Sequence, residues 1–171
     1  YETILGYNAN KLYKITNNIV IGVNGDAGNS EQFCQFVTKN VALYKMRNRY
    51  DLGIGAVLHL TRSTLVPYSV NLLVAGYDQE TGPQLFFMDY LASCVKVPYA
   101  CHGYGGYLSL GILDRMYKLD LSKDQSYNIL KECVTEIQKR FLVNLPTFKV
   151  WAVDKNGTIE MPDIYVPSTK N

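Results

Sequence analysis

Apolar positions along the chain switch between two spacings, and the switches mark the elements. Residues 19–24 (IVIGVN) form a short apolar strand that stops at Gly25-Asp26. From about 28 to 47, Phe33, Phe36, Val37, Val41 and Tyr44 recur at helical spacing until Tyr50-Asp51-Leu52-Gly53 breaks the pattern. A second helix, about 54–66, turns Ile54, Val57, Leu58 and Leu65 inward. Residues 70–77 (VNLLVAGY) and 84–90 (QLFFMDY) then read as strands flanking the turn "DQETGP". A third strand, about 94–101, leads into a glycine loop. The helix expected over 104–117 is apolar on most faces (Tyr107, Leu108, Leu110, Ile112, Leu113), as in a helix between layers. Ser122-x-x-Gln125 is a capping box that opens a helix to about 143, with Ile129, Leu130, Cys133, Val134, Ile137 and Phe141 on one stripe. A strand at 147–153, an Asn156-Gly157 turn and a strand at 158–161 end the pattern.

Strands grouped between pairs of helices exclude a repeating parallel βαβ fold and indicate an α+β class. Two adjacent antiparallel sheets covered by helix pairs would bury these strands, several of which are apolar on both sides. The 171 residues suit a single domain over 1–171 with one substantial core.

Charge changes the picture little. A net charge of +2 with scattered Lys and Arg gives no footprint for nucleic acid. No apolar run reaches the roughly 18 residues of a membrane span, and no signal peptide is visible, so no membrane partner is expected. Cys34, Cys94, Cys101 and Cys133 lack C-x-x-C spacing and sit in apolar contexts. They fit reduced thiols of a cytoplasmic or nuclear protein, with no disulfide frame and no metal site. Fourteen tyrosines hint at protein partners.

Three places invite chemistry. In "PYACHGYGGYLSLGILDRMY" the third fingerprint glycine is replaced by Leu108, and no Gly-Lys-Ser/Thr follows, so neither phosphate-binding pattern is met. Close packing of helix 104–117 on the sheet explains these glycines. His59 and His102 are far apart in sequence, with no carboxylate at ligand spacing. In "GVNGDAGN" the backbone N–H groups could form an oxyanion hole, while helix capping accounts equally for Asp26.

The stretches "GDAGNSEQFCQFVTKNVALYKMRN", "NLLVAGYD", "GPQLFFMDYLA", "PYACHGYGGYLSLGILDRMY", "ILKECVTEIQKRF" and "VDKNG", in that order, resemble a proteasome β-subunit. The likeness is greatest to the non-catalytic type-2 members and runs from about Lys11 to Asn156. It implies the four-layer αββα sandwich of the N-terminal-nucleophile hydrolases. Active members attack the peptide carbonyl with an N-terminal threonine whose own amine serves as base.

Carried over to this chain, the resemblance puts Lys11 at the active-site lysine and Gly25 at the oxyanion glycine. The remaining positions are replaced: Glu2 stands for the nucleophile, Tyr104 for the loop serine, and Phe141 and Asn144 for the aspartate and second serine. Lys11 and Gly25 could equally persist for structural reasons. The expectation is a non-catalytic subunit without cofactor or metal, assembled with other proteasome α and β subunits. Protein substrates would meet it only as a wall of the chamber. The rival expectation is an active threonine peptidase trimmed to Thr3. About twenty residues of the first hairpin region are expected to be missing ahead of "NANKLYKI", leaving a sheet neighbour unpaired at about 1–3 kcal/mol per buried group.

Overall fold

A computed structural model describes residues 10–140, 145 and 147–165. These residues form two compact units, one built on residues 10–98 with Val153–Ile159, the other on Tyr99–Ala152 and the strand residues from Glu160 on.

In the first unit, Leu12–Thr16 (β1), Ile19–Asn24 (β2), Asn71–Asp78 (β3), Gly82–Met88 (β4) and Cys94–Lys96 (β5) make one sheet in that order, every pairing antiparallel. Two helices, Ala27–Asn48 (α1) and Ile54–Thr64 (α2), cover one face, and a short 3-10 turn at Val66–Tyr68 leads into β3. The register aligns Val23 with Leu72 and Leu72 with Met88, and places Ile21 opposite Val74. These side chains meet Phe33, Cys34, Val37 and Val41 of α1 and Ile54, Val57 and Leu58 of α2 in one buried cluster. Strand period two thus meets helix spacing of three and four. Full burial of each such side chain stabilises by about 1.5–3 kcal/mol.

Both ends of α1 have a local cause. Asp26 caps the start, its carboxylate accepting from the Asn29 N–H at 3.0 Å. Arg49 ends it in the left-handed conformation (φ 63°), its N–H donating to the Lys45 carbonyl.

In the second unit, Gly105–Met116 (α3) packs on Lys123–Arg140 (α4) through Ile112, Ile129 and Cys133. The expected capping box is present: Ser122 N–H donates to Gln125 Oε1 at 2.8 Å, and Gln125 N–H to Ser122 Oγ at 3.2 Å. Thr147–Asp154 (β6) and Gly157–Tyr165 (β7) form a two-stranded sheet, of which the turn end, Val153–Ile159, belongs to the first unit. Val150 and Ile164 of that sheet pack on Val134 of α4, and Tyr127 donates to the Pro162 carbonyl.

Five details differ from the sequence-based expectation. β1 was not anticipated, because "LYKIT" alternates poorly, and among the described residues it forms one edge of its sheet. β5 stops at Lys96 rather than near 101, since Pro98 has no N–H to extend a ladder. β7 runs on to Tyr165. The glycine loop admits close packing, but what Gly105 approaches is α4: a Cβ there would lie 3.1 Å from Ile137 Cδ1. α3 also keeps one exposed face, with Tyr107 85% accessible.

Candidate functional site

Of the six positions carried over by resemblance, three lie in described structure. Glu2, Phe141 and Asn144, like the rival nucleophile Thr3, fall outside the described residues.

Lys11 immediately precedes β1 and is exposed. Its carbonyl accepts the Val23 N–H at 2.9 Å, which extends the β1–β2 ladder by one step. Gly25 follows two residues after Val23, at the turn from β2 into α1. The antiparallel pairing therefore brings Lys11 and Gly25 to the same end of the sheet. The opening N–H groups of α1 lie at that end, a setting that can stabilise negative charge.

Gly25 also answers to packing. A Cβ on it would come within 2.9 Å of Val70 Cγ1 and 3.3 Å of the Val70 backbone. Only glycine fits that approach without movement, whatever the chemistry.

No activated nucleophile joins Lys11 and Gly25 among the described residues. Ser30, in the first turn of α1, has a buried hydroxyl with no hydrogen-bond partner among the described residues, hence no base to take its proton. Burial pushes the Cys34 thiol up to about 12, so it stays protonated at neutral pH. Tyr13 on β1 is raised as well, by burial first and then by Cys34 and Glu31.

Tyr104 is the N-cap of α3, makes no side-chain capping bond and is 77% accessible. His59 is exposed on α2, and His102 precedes Gly103, which takes a positive φ of 80°. No group of three metal-ligating side chains occurs among the described residues, and no described helix is long and apolar enough to cross a membrane.

A cavity of about 350 Å³ lies elsewhere in the first unit, between the β1–β2 turn, the start of α2 and the β3–β4 turn. Two of its three carboxylates are already engaged. Asp51 pairs with Lys45 at 3.0 Å, and Asp78 is held below the usual range by the Thr81 and Glu80 N–H groups. It brings no reacting group together. Sequence reasoning missed it because its walls come from three separate turns.

Comparison with known proteins decides the family. The proteasome subunit model matches residues 2–153. The chain belongs to the proteasome subunit family. Its relatives in that family carry β-subunit names. Proteasome subunit beta type-2-A of Arabidopsis thaliana is 38% identical over 156 residues, covering 88% of this chain and 76% of the relative. Proteasome subunit beta type-2 of Dictyostelium discoideum is 43% identical over 129 residues, 70% of this chain and 65% of the relative. Proteasome subunit beta type-4 of Saccharomyces cerevisiae is 32% identical over 169 residues, 94% of this chain and 85% of the relative. Helices with antiparallel sheets, the α+β class expected from the sequence, agree with this proteasome family membership.

Proposed function

We propose that this chain is a non-catalytic β-subunit of the proteasome core particle, a single domain that completes the seven-member β ring and helps wall the proteolytic chamber. It works without a cofactor, in the cytoplasm and nucleus, and its partners are neighbouring α and β subunits. The observation that carries the inactive role is in the sequence: Glu2 stands where active relatives of this family place the nucleophilic threonine. Tyr104 supports it, since an exposed phenol at the start of α3 offers no serine-like hydroxyl to a neighbour.

Assembly is supported by apolar surface left open in the single chain. Met46 is 78% accessible, Leu119 89%, Tyr104 77% and Tyr107 85%. Large apolar side chains this exposed are available for burial against neighbouring subunits. Of the tyrosines suited to an interface, Tyr50, Tyr90 and Tyr104 are exposed. Tyr44, Tyr68 and Tyr117 are half-buried and spend their rings on Tyr50, Phe33 and Tyr99.

The test is labelling of the assembled particle with a threonine-directed epoxyketone, followed by mass spectrometry of each chain. Adducts are expected on other subunits and none on this one; an adduct at Thr3 establishes the active peptidase instead. Native mass spectrometry tests the partners, and a ring built from this chain alone overturns the heteromeric assembly.

A further inference from the structure

The chain contains two Asn-Gly pairs, Asn24-Gly25 and Asn156-Gly157, and the fold treats them differently. Asn24 is the last residue of β2, half-buried and in register with Asn71 of β3. Its glycine is wedged against Val70. Asn156 is exposed in the two-residue turn between β6 and β7. Its backbone N–H is held by Asp154 Oδ1 at 2.7 Å, while its carboxamide has no partner among the described residues.

We propose that Asn156 is a site of spontaneous covalent modification, converting to aspartate and isoaspartate while Asn24 is protected. The Gly157 nitrogen attacks Asn156 Cγ. The new N–Cγ bond closes a five-membered imide, the Cγ–Nδ2 bond breaks, and the glycine N–H proton leaves with the amide as ammonia. Water then adds to either imide carbonyl. Cleavage of N–Cγ yields aspartate, and cleavage of the original peptide bond yields isoaspartate, whose backbone runs through Cβ and Cγ. The net change is one water gained and one ammonia lost, with no redox partner.

Geometry sets the selectivity. Ring closure requires rotation about the asparagine's own backbone. At Asn24 that rotation must break the β2–β3 ladder, so it waits on local unfolding. At Asn156 it moves a turn with an exposed side chain, and Gly157 has no Cβ to obstruct the approach. Gly157 is itself buried under Asn17, so solvent base reaches its N–H when this short turn opens, a smaller opening than breaking the β2–β3 ladder.

The products act on a defined contact. Each adds a negative charge at the hairpin tip, and isoaspartate inserts a backbone methylene next to Gly157 and Thr158. Thr158 is what holds this tip on Asn17. Its amide should then exchange faster with solvent.

The full chain is incubated at mildly alkaline pH, both native and unfolded in urea, then digested at acid pH with a glutamate-specific protease. Cleavage after Glu31, Glu136 and Glu160 puts Asn24 and Asn156 on separate peptides. Amide loss is read by mass and isoaspartate by transfer of a labelled methyl group from an isoaspartyl methyltransferase. Unfolded, the two asparagines should react alike. Native, Asn156 should react about tenfold faster than Asn24 or more, a ratio equivalent to about 1.4 kcal/mol. Equal protection of the two, or greater protection of Asn156, overturns the proposal. Asn156→Gln should remove the methyl-acceptor signal from the peptide that carries position 156, and a signal that persists there overturns the proposal as well.

Discussion

The backbone carbonyl of Asn17 accepts two hydrogen bonds from Thr158, one from its amide at 2.8 Å and one from its hydroxyl at 2.9 Å. Residues 141 positions apart are thereby joined at the turn between β1 and β2.

That contact depends on Gly157. Its φ of +113° suits no other residue, and a Cβ there would lie 2.5 Å from Asn17 Nδ2. Gly157→Ala should therefore lower stability by about 1–3 kcal/mol. Thr158→Val, which removes only the hydroxyl bond, should cost about 1 kcal/mol. Urea unfolding of the two variants checks the order. A Gly157→Ala protein as stable as the parent would show that the tip is not docked on Asn17.

Gly25 separates packing from chemistry in a different way. Gly25→Ala forces a methyl group against buried Val70 and should cost about 1–3 kcal/mol. Shortening the neighbour should recover part of that loss. In a double-mutant cycle with Val70→Ala, the two changes together should therefore cost less than their sum. Strict additivity would mean that the glycine is there for some reason other than Val70.

The contrast between α1 and β1 shows what was legible in the sequence. α1 announced itself through Phe33, Val37 and Val41, a spacing that only one local geometry satisfies, and Asp26 marked its start. β1 had no such signature. Its partner β2 supplies the burial, so the strand is specified by pairing with Ile19–Asn24 rather than by its own alternation. The site divides along the same line. Lys11 and Gly25 were named from the sequence, yet their meeting at one sheet end follows from the Lys11–Val23 bond, which no local pattern encodes. The hairpin docking of Thr158 on Asn17 was invisible for the same reason.

Arg49 offers a gain instead of a loss. It closes α1 in a left-handed conformation that a Cβ disfavours by about 1–2 kcal/mol. Arg49→Gly removes that strain, and the Arg49 amide can still reach the Lys45 carbonyl. The expected outcome is a stabilisation of about 0.5–1 kcal/mol, less than the strain because glycine also frees the unfolded chain. Thermal unfolding at fixed pH measures it, and a lower midpoint in the variant would contradict the assignment of that cap.

Cys34 predicts how stability responds to alkali. It lies fully buried between α1 and the sheet, and burial pushes its thiol from 9.0 up to about 12. The folded chain holds this proton more tightly than the unfolded chain does. The resulting stabilisation is complete below pH 9 and is lost as pH rises from 9 towards about 12. Tyr13, raised by the same burial, adds to the loss in the same direction. Over that window the thiol contributes a slope of about 1.4 kcal/mol per pH unit. Cys34→Ala should lower stability near neutrality by leaving a small cavity, yet its stability should fall less steeply across the alkaline range. Urea midpoints for both proteins from neutral to alkaline pH give the two slopes, and parallel curves would show that Cys34 titrates as it does in the unfolded chain.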